Sequence, residues 1–153
     1  MHIDNKKQVT HINMIFSLKI IIVLIILGAH YLTGIVKDDD VVYLLWTVLA
    51  GLVVVFRYGG FEFVMVDFNE DEIDIKYYRI FPFGRRYNRV IIPNEMLGYF
   101  KIQKGFGPLF STLILFQNRS GEMAQYPPIG MAAVNAEMQK TLLDQFNKVT
   151  GGD

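Results

Sequence analysis

Apolar residues crowd the first part of the chain in two uncharged runs. Residues 20–36 lie between Lys19 and Lys37, and the run extends upstream to residue 12 when Lys19 lifts its ammonium to a polar boundary on its long stem. Residues 41–56 form the second run, which ends at Arg57 and Tyr58. Neither run carries the polar stripe that a water-facing helix shows at a period of about 3.6 residues, and both sit near the ~17-residue minimum for crossing a bilayer. The pattern predicts a transmembrane hairpin, about 12–36 and 41–58, behind an N-terminal segment of residues 1–11.

After Tyr58-Gly59-Gly60 the period changes. Phe61-Glu62-Phe63-Val64-Met65-Val66-Asp67-Phe68 is rich in strand formers and breaks at Asn69-Glu70-Asp71-Glu72. Ile73, Ile75 and Tyr77 then alternate with Asp74 and Lys76, so the two segments predict a β-hairpin with one apolar face. Phe81-Pro82-Phe83-Gly84 punctuates the chain, residues 86–92 read as a third strand ended by Pro93-Asn94, and residues 96–104 read as a fourth. A fifth strand is expected over residues 110–117 and a short sixth over 122–126, closed by Pro127-Pro128. Val134, Met138, Leu142, Phe146 and Val149 then recur every three to four residues, which predicts one amphipathic helix stopped at Gly151-Gly152.

The expected fold class is therefore α+β: a membrane hairpin, then a strand-rich domain over residues 61–149 with a closing helix, and a tail of residues 150–153. The linker of Tyr58-Gly59-Gly60 is too short to let the domain roam from the membrane face. The two spans, the run of short strands, the Ile91-Ile92-Pro93-Asn94-Glu95-Met96 passage and the terminal amphipathic helix resemble bacterial membrane proteins with a pleckstrin-homology-like domain. That resemblance implies a PH-like pair of antiparallel sheets with one open end capped by the C-terminal helix, and a binding or assembly module without catalytic residues. Lipid-binding eukaryotic relatives place basic residues at the first hairpin, where this chain has Asn69-Glu70-Asp71-Glu72. Phosphoinositide recognition by that route is not expected.

Charge divides the chain in the same way. Its 153 residues are 52% hydrophobic, and 15 basic groups balance 15 acidic ones, but residues 61–153 hold 10 of the basic and 11 of the acidic groups. Zero net charge removes bulk attraction to nucleic acid, and with no cysteine there is no thiolate nucleophile or Cys-ligated zinc. Lys6, Lys7 and Lys19 lie on the N-terminal side, and Arg57, Arg79, Arg85, Arg86 and Arg89 follow the uncharged stretch of the second span, while Lys37-Asp38-Asp39-Asp40 forms the turn. The bias predicts a multi-pass protein of a bacterial-type inner membrane with both termini cytoplasmic. A second span directly after the first, and no A-x-A site between them, argue against a cleaved signal peptide. The three aspartates lack the alternating spacing, glycine bend and distal Glu of a calcium loop, so they read as a solvated turn.

Candidate packing positions in the spans are Gly28, Ala29 and Thr33 in the first and Thr47, Ala50 and Gly51 in the second, whose small-xxx-small spacing permits close helix approach within the hairpin or with another subunit. Tyr43, Trp46 and Tyr58 fit interfacial anchoring, and His30 reads as an interfacial neutral histidine beside Tyr31. The candidate lipid- or partner-binding residues are Lys76, Arg79, Arg85, Arg86 and Arg89, interleaved with aromatic side chains. Pairing of these arginines with Glu70, Asp71 and Asp74 is the simpler expectation. Lys104-Gly105-Phe106-Gly107 lacks the Walker pattern and precedes no helix, and His2, His11 and His30 all lie outside the strand-rich domain. No catalytic residue, metal site, cofactor or small-molecule substrate is assigned. The sequence thus predicts a non-enzymatic scaffolding or accessory module that meets the bilayer and a membrane-protein partner or a second copy of itself. The alternative is a sensor of anionic headgroups working through residues 79–89.

Overall fold

In the computed structural model, which describes residues 1–34, 38–81, 86–105, 109–119 and 122–151, the chain opens on a strand. The order is β1 (His2–Asp4), α1 (Lys6–Thr33), α2 (Asp39–Tyr58), β2 (Glu62–Phe68), β3 (Glu72–Arg79), β4 (Asn88–Pro93), a single 3-10 turn (Asn94–Met96), β5 (Leu97–Gln103), β6 (Thr112–Arg119), β7 (Glu122–Gln125), β8 (Ile129–Gly130) and α3 (Ala136–Thr150). The layout is α+β, with two apolar helices, then antiparallel sheets and a C-terminal helix.

One sheet runs β1-β2-β3-β4, with Glu62 opposite Arg79 and Phe68 opposite Ile73 at the two ends of the β2–β3 ladder. In the other, β5 and β7 flank β6, and β8 pairs with the start of β6 beyond β7. The expected alternation holds: Val64, Val66, Ile73, Ile75 and Tyr77 are buried between the sheets with Leu113 and Leu115. Asn135 caps α3 by accepting from the Met138 N–H, and Gly151 ends it in the left-handed conformation that glycine tolerates. The helix lays Met138, Leu142 and Phe146 against the core, with Phe146 beside Phe68 and Phe100 at the end of the sheets away from α1 and α2.

Two expectations change here. The N-terminal segment is not separate from the domain: β1 pairs with β2 from His2–Asp67 to Asp4–Met65, so the strand-rich unit begins at residue 2 and the helical hairpin is an insertion between its first two strands. Asn5 fixes that junction. Fully buried, it donates from Nδ2 to the carbonyls of Glu62 (2.8 Å) and Ala133 (3.3 Å) and accepts at Oδ1 from the Val64 N–H (2.8 Å).

Second, small residues do not form the contact between α1 and α2. The helices meet through Val23 and Leu27 on one side and Val42, Leu45 and Leu49 on the other, with Phe16 stacked on Phe56 at 4.5 Å. Thr33, Thr47, Ala50 and Gly51 are exposed, Gly28 and Ala29 are half-buried, and nothing lies within 4 Å of a Cβ built on Gly28 or Gly51. Larger side chains fill the space first, which holds the backbones too far apart for a glycine contact. The Thr33 and Thr47 hydroxyls instead donate to the carbonyls of Ala29 and Tyr43 in their own helices.

Both helices are long and apolar enough to cross a membrane, with 28 and 20 residues, and only 11% of the most apolar stretch of each is buried in the chain. Asp38 caps α2 by accepting from the Asp40 N–H at 3.0 Å, and His30 packs edge-on to Tyr31.

Candidate functional site

The end of the sheets nearest α2 stays open, and chain geometry there is tight. A Cβ on Gly59 would meet the Phe61 ring at 2.8 Å, and Gly60 has φ +79, so this glycine pair is what turns α2 sharply into β2. The turn brings Arg57, in the last turn of α2, over the ends of β2 and β3. The result is a cleft of about 590 Å³ lined by Arg57, Glu62, Tyr77, Arg79, Arg86 and Asn88, with Pro127 and Pro128 as one wall.

Strand parity explains the lining. In β3, Arg79 shares the inward face of Ile73, Ile75 and Tyr77, so at the strand's end it points into the open mouth. Glu62 stands opposite it, almost fully buried, accepting the Gly130 N–H at 2.8 Å with Arg79 Nε 3.7 Å away. Burial pushes the Glu62 carboxyl above its ordinary range against the pull of that N–H and of Arg79. Tyr77 is raised too, by burial first and the Glu62 charge second. The cleft lining thus carries three arginines against one carboxylate, a positive excess suited to an anion.

Lys76 and Arg89 lie elsewhere, on the outer face of the first sheet. Arg89 grips Asp74 with two hydrogen bonds of 2.9 Å, and Lys76 reaches Asp74 at 3.0 Å and Asp67 at 3.9 Å. His2 bonds Asp67 and Asp4, so the charges continue across all four strands. Asp74 is held below its ordinary range, chiefly by the Arg89 hydrogen bonds. Of the expected arginine partners, Asp74 is thus met. A shallower apolar groove of about 320 Å³ adjoins this ladder, with Phe63 stacked on Tyr78 and Tyr78 against Tyr87.

The five candidate basic residues therefore separate: Arg79 and Arg86 share the cleft, Lys76 and Arg89 are committed to Asp74, and Arg85 lies outside the described residues. Arg57 is the cleft residue that the sequence reading passed over. Among the described residues no three His, Asp or Glu side chains gather as a metal site would require. Comparison with protein-family models, curated proteins and solved structures returns no match for this chain.

Proposed function

We propose that the chain is a membrane-anchored binding module that acts without catalysis, its hairpin spanning a bacterial-type inner membrane and its PH-like domain lying on the cytoplasmic face. The observation that carries this reading is the uncovered apolar surface of α1 and α2. Water would not tolerate that surface, and the self-bonded Thr33 and Thr47 hydroxyls are already satisfied for hydrocarbon. The module serves as a scaffolding or accessory subunit, either with another membrane protein or with copies of itself. The face of α2 bearing Thr47, Ala50 and Gly51 is free of α1 and offers close approach to a second helix. Extraction of the full chain from its own membrane in mild detergent, followed by particle-mass measurement, tests this: a stoichiometric second protein or a defined homo-oligomer is expected, and a lone monomer overturns it.

A second reading has its own observation. Arg57, Arg79 and Arg86 converge on one cleft beside the membrane helix, where an anionic lipid headgroup fits the charge and the position. Counting β1 as the first strand, the first strand-to-strand connection is the helical hairpin ending in Arg57, so the acidic residues 69–72 sit in a later turn at the far end of the sheet. Those acidic groups therefore lie away from the cleft that this reading uses. With about 1 kcal/mol for each cation near an anionic surface, replacing all three arginines by alanine should weaken retention of anionic lipid by roughly two orders of magnitude. Native mass spectrometry of the full chain reads this directly, and equal retention by the triple variant would end the headgroup reading.

A further inference from the structure

We propose that Phe110 is a second membrane anchor, its ring set into the bilayer surface beside α2 while the neighbouring arginines meet the headgroups. The inference rests on the reading that the hairpin spans a bilayer. Phe110 combines two unfavourable features: its φ is +60, alone among the described non-glycine residues in being positive, and its side chain remains 47% exposed. A bulky residue is strained in that region of backbone space, and a half-exposed aromatic ring recovers little by burial. Strain that persists at an exposed position points to use.

The conformation is held from both sides. The Phe110 N–H donates to the Gly59 carbonyl at 3.0 Å, and the Ser111 carbonyl accepts from the Met131 N–H at 2.8 Å. Gly105 packs so closely that a Cβ there would strike the Leu109 carbonyl and the Phe110 side chain. The loop is thereby fastened to the α2–β2 connection, with Phe110 in the same small hollow as Arg57, Tyr58 and Arg79.

Helix length puts this level at the membrane boundary. A hydrocarbon core of about 30 Å takes about 20 helical residues. Counted from the turn end, that depth extends to Met14 on α1 and to Tyr58, the last residue of α2, next to Gly59, whose carbonyl accepts from the Phe110 N–H. Met14 and Leu18 are exposed apolar side chains on the domain side of Lys19, so the apolar surface does continue that far. Tyr58 is also exposed, and Arg57 lies 5.4 Å from its ring and 5.6 Å from that of Phe81. Aromatic rings with arginines among them are what a headgroup boundary selects.

Trp46 is the chain's one tryptophan, which makes fluorescence quenching by brominated phospholipid a direct test in phosphatidylcholine–phosphatidylglycerol vesicles. In full-length protein carrying Trp46→Phe and Phe110→Trp, emission should be blue-shifted and should fall by roughly half or more with bromines near the headgroup end of the acyl chain. Trp46→Phe with Tyr99→Trp, on the second sheet, should show neither effect. Quenching at 110 no greater than at 99 overturns the inference. The unaltered chain separates the two possible failures: if Trp46 itself escapes quenching, the spanning reading has failed, and if Trp46 is quenched while position 110 is not, only the Phe110 anchor has. A smaller probe guards against misfolding. A nitroxide on Phe110→Cys, the sole thiol in the chain, should be relaxed more by oxygen than by a water-soluble nickel chelate, and the reverse order overturns the anchor equally.

Discussion

At the scale of single residues, Asn5 and Glu62 show how much of this molecule depends on polar groups out of contact with water. Asn5 bonds three backbone groups drawn from β2 and from the loop before α3. Asn5→Ala leaves them buried without partners, which should cost about 2–4 kcal/mol and appear as a lowered unfolding midpoint of the full chain in detergent. Glu62 is a case with the opposite sign. Because burial raises its folded-state pKa, its contribution to stability is complete below the unfolded value of 4.5 and is lost as pH rises through the folded pKa. Glu62→Gln keeps an acceptor for Gly130 without a charge. The variant should therefore exceed the parent in stability above the folded pKa, with the gap closing toward the unfolded value of 4.5; a gap independent of pH would refute the buried-carboxylate argument. Asp74, lowered by Arg89, works in the other direction, and its contribution is lost as pH falls below 3.8 toward the folded pKa. Neither Asn5 nor Glu62 could be recognised from the sequence, since partners 57 and 68 residues away give no local pattern.

The longer elements of the strand-rich domain were legible because burial imposes a period on them, and α1 and α2 because their apolar runs lack one. The β2–β3 pair, β6 and α3 fall within a residue or two of their sequence-derived limits. What failed was β1: His2-Ile3-Asp4 alternates correctly, but three residues carry too little periodicity to stand out, and Lys6 and Lys7 hide the start of α1. Parity separates the basic residues in retrospect, since Arg79 continues the inward series of Ile73, Ile75 and Tyr77 and Lys76 does not. Arg57 reaches the cleft only because Gly59 and Gly60 fold α2 back, a tertiary fact. A deletion follows from β1. Asn5 and Val64 already exchange hydrogen bonds, so residues 6–60 can be replaced by a Gly-rich turn of about four residues. That chimera should unfold about 10 °C or more above a fragment starting at residue 61, which lacks Ile3 and Asn5. Equal midpoints would show that β1 adds nothing to the domain.

At the scale of the whole molecule, the insertion of a helical hairpin between two paired strands constrains topology before any charge is considered. Because β1 and β2 belong to one sheet, a hairpin that spans would leave and re-enter the same compartment, whichever way α1 and α2 inserted. On the proposed spanning reading the choice of compartment then falls to charge: Lys6 and Lys7 at the start of α1, Lys19 farther along it, Arg57 at the end of α2 and Arg79, Arg86 and Arg89 in the domain would favour the cytoplasm, against Lys37 and three aspartates around the turn. The absence of cysteine makes this measurable, since any introduced thiol is the chain's only one. In intact cells a membrane-impermeant maleimide should label Asp39→Cys, at the exposed start of α2, and should reach Asn118→Cys, on β6, only after lysis. Labelling of Asn118→Cys alone in intact cells would place the domain outside and the turn inside, and labelling of both would show that the hairpin does not cross. Labelling of neither before lysis would show that the hairpin does not cross, and the exposed faces of α1 and α2 would then need a protein cover in place of lipid.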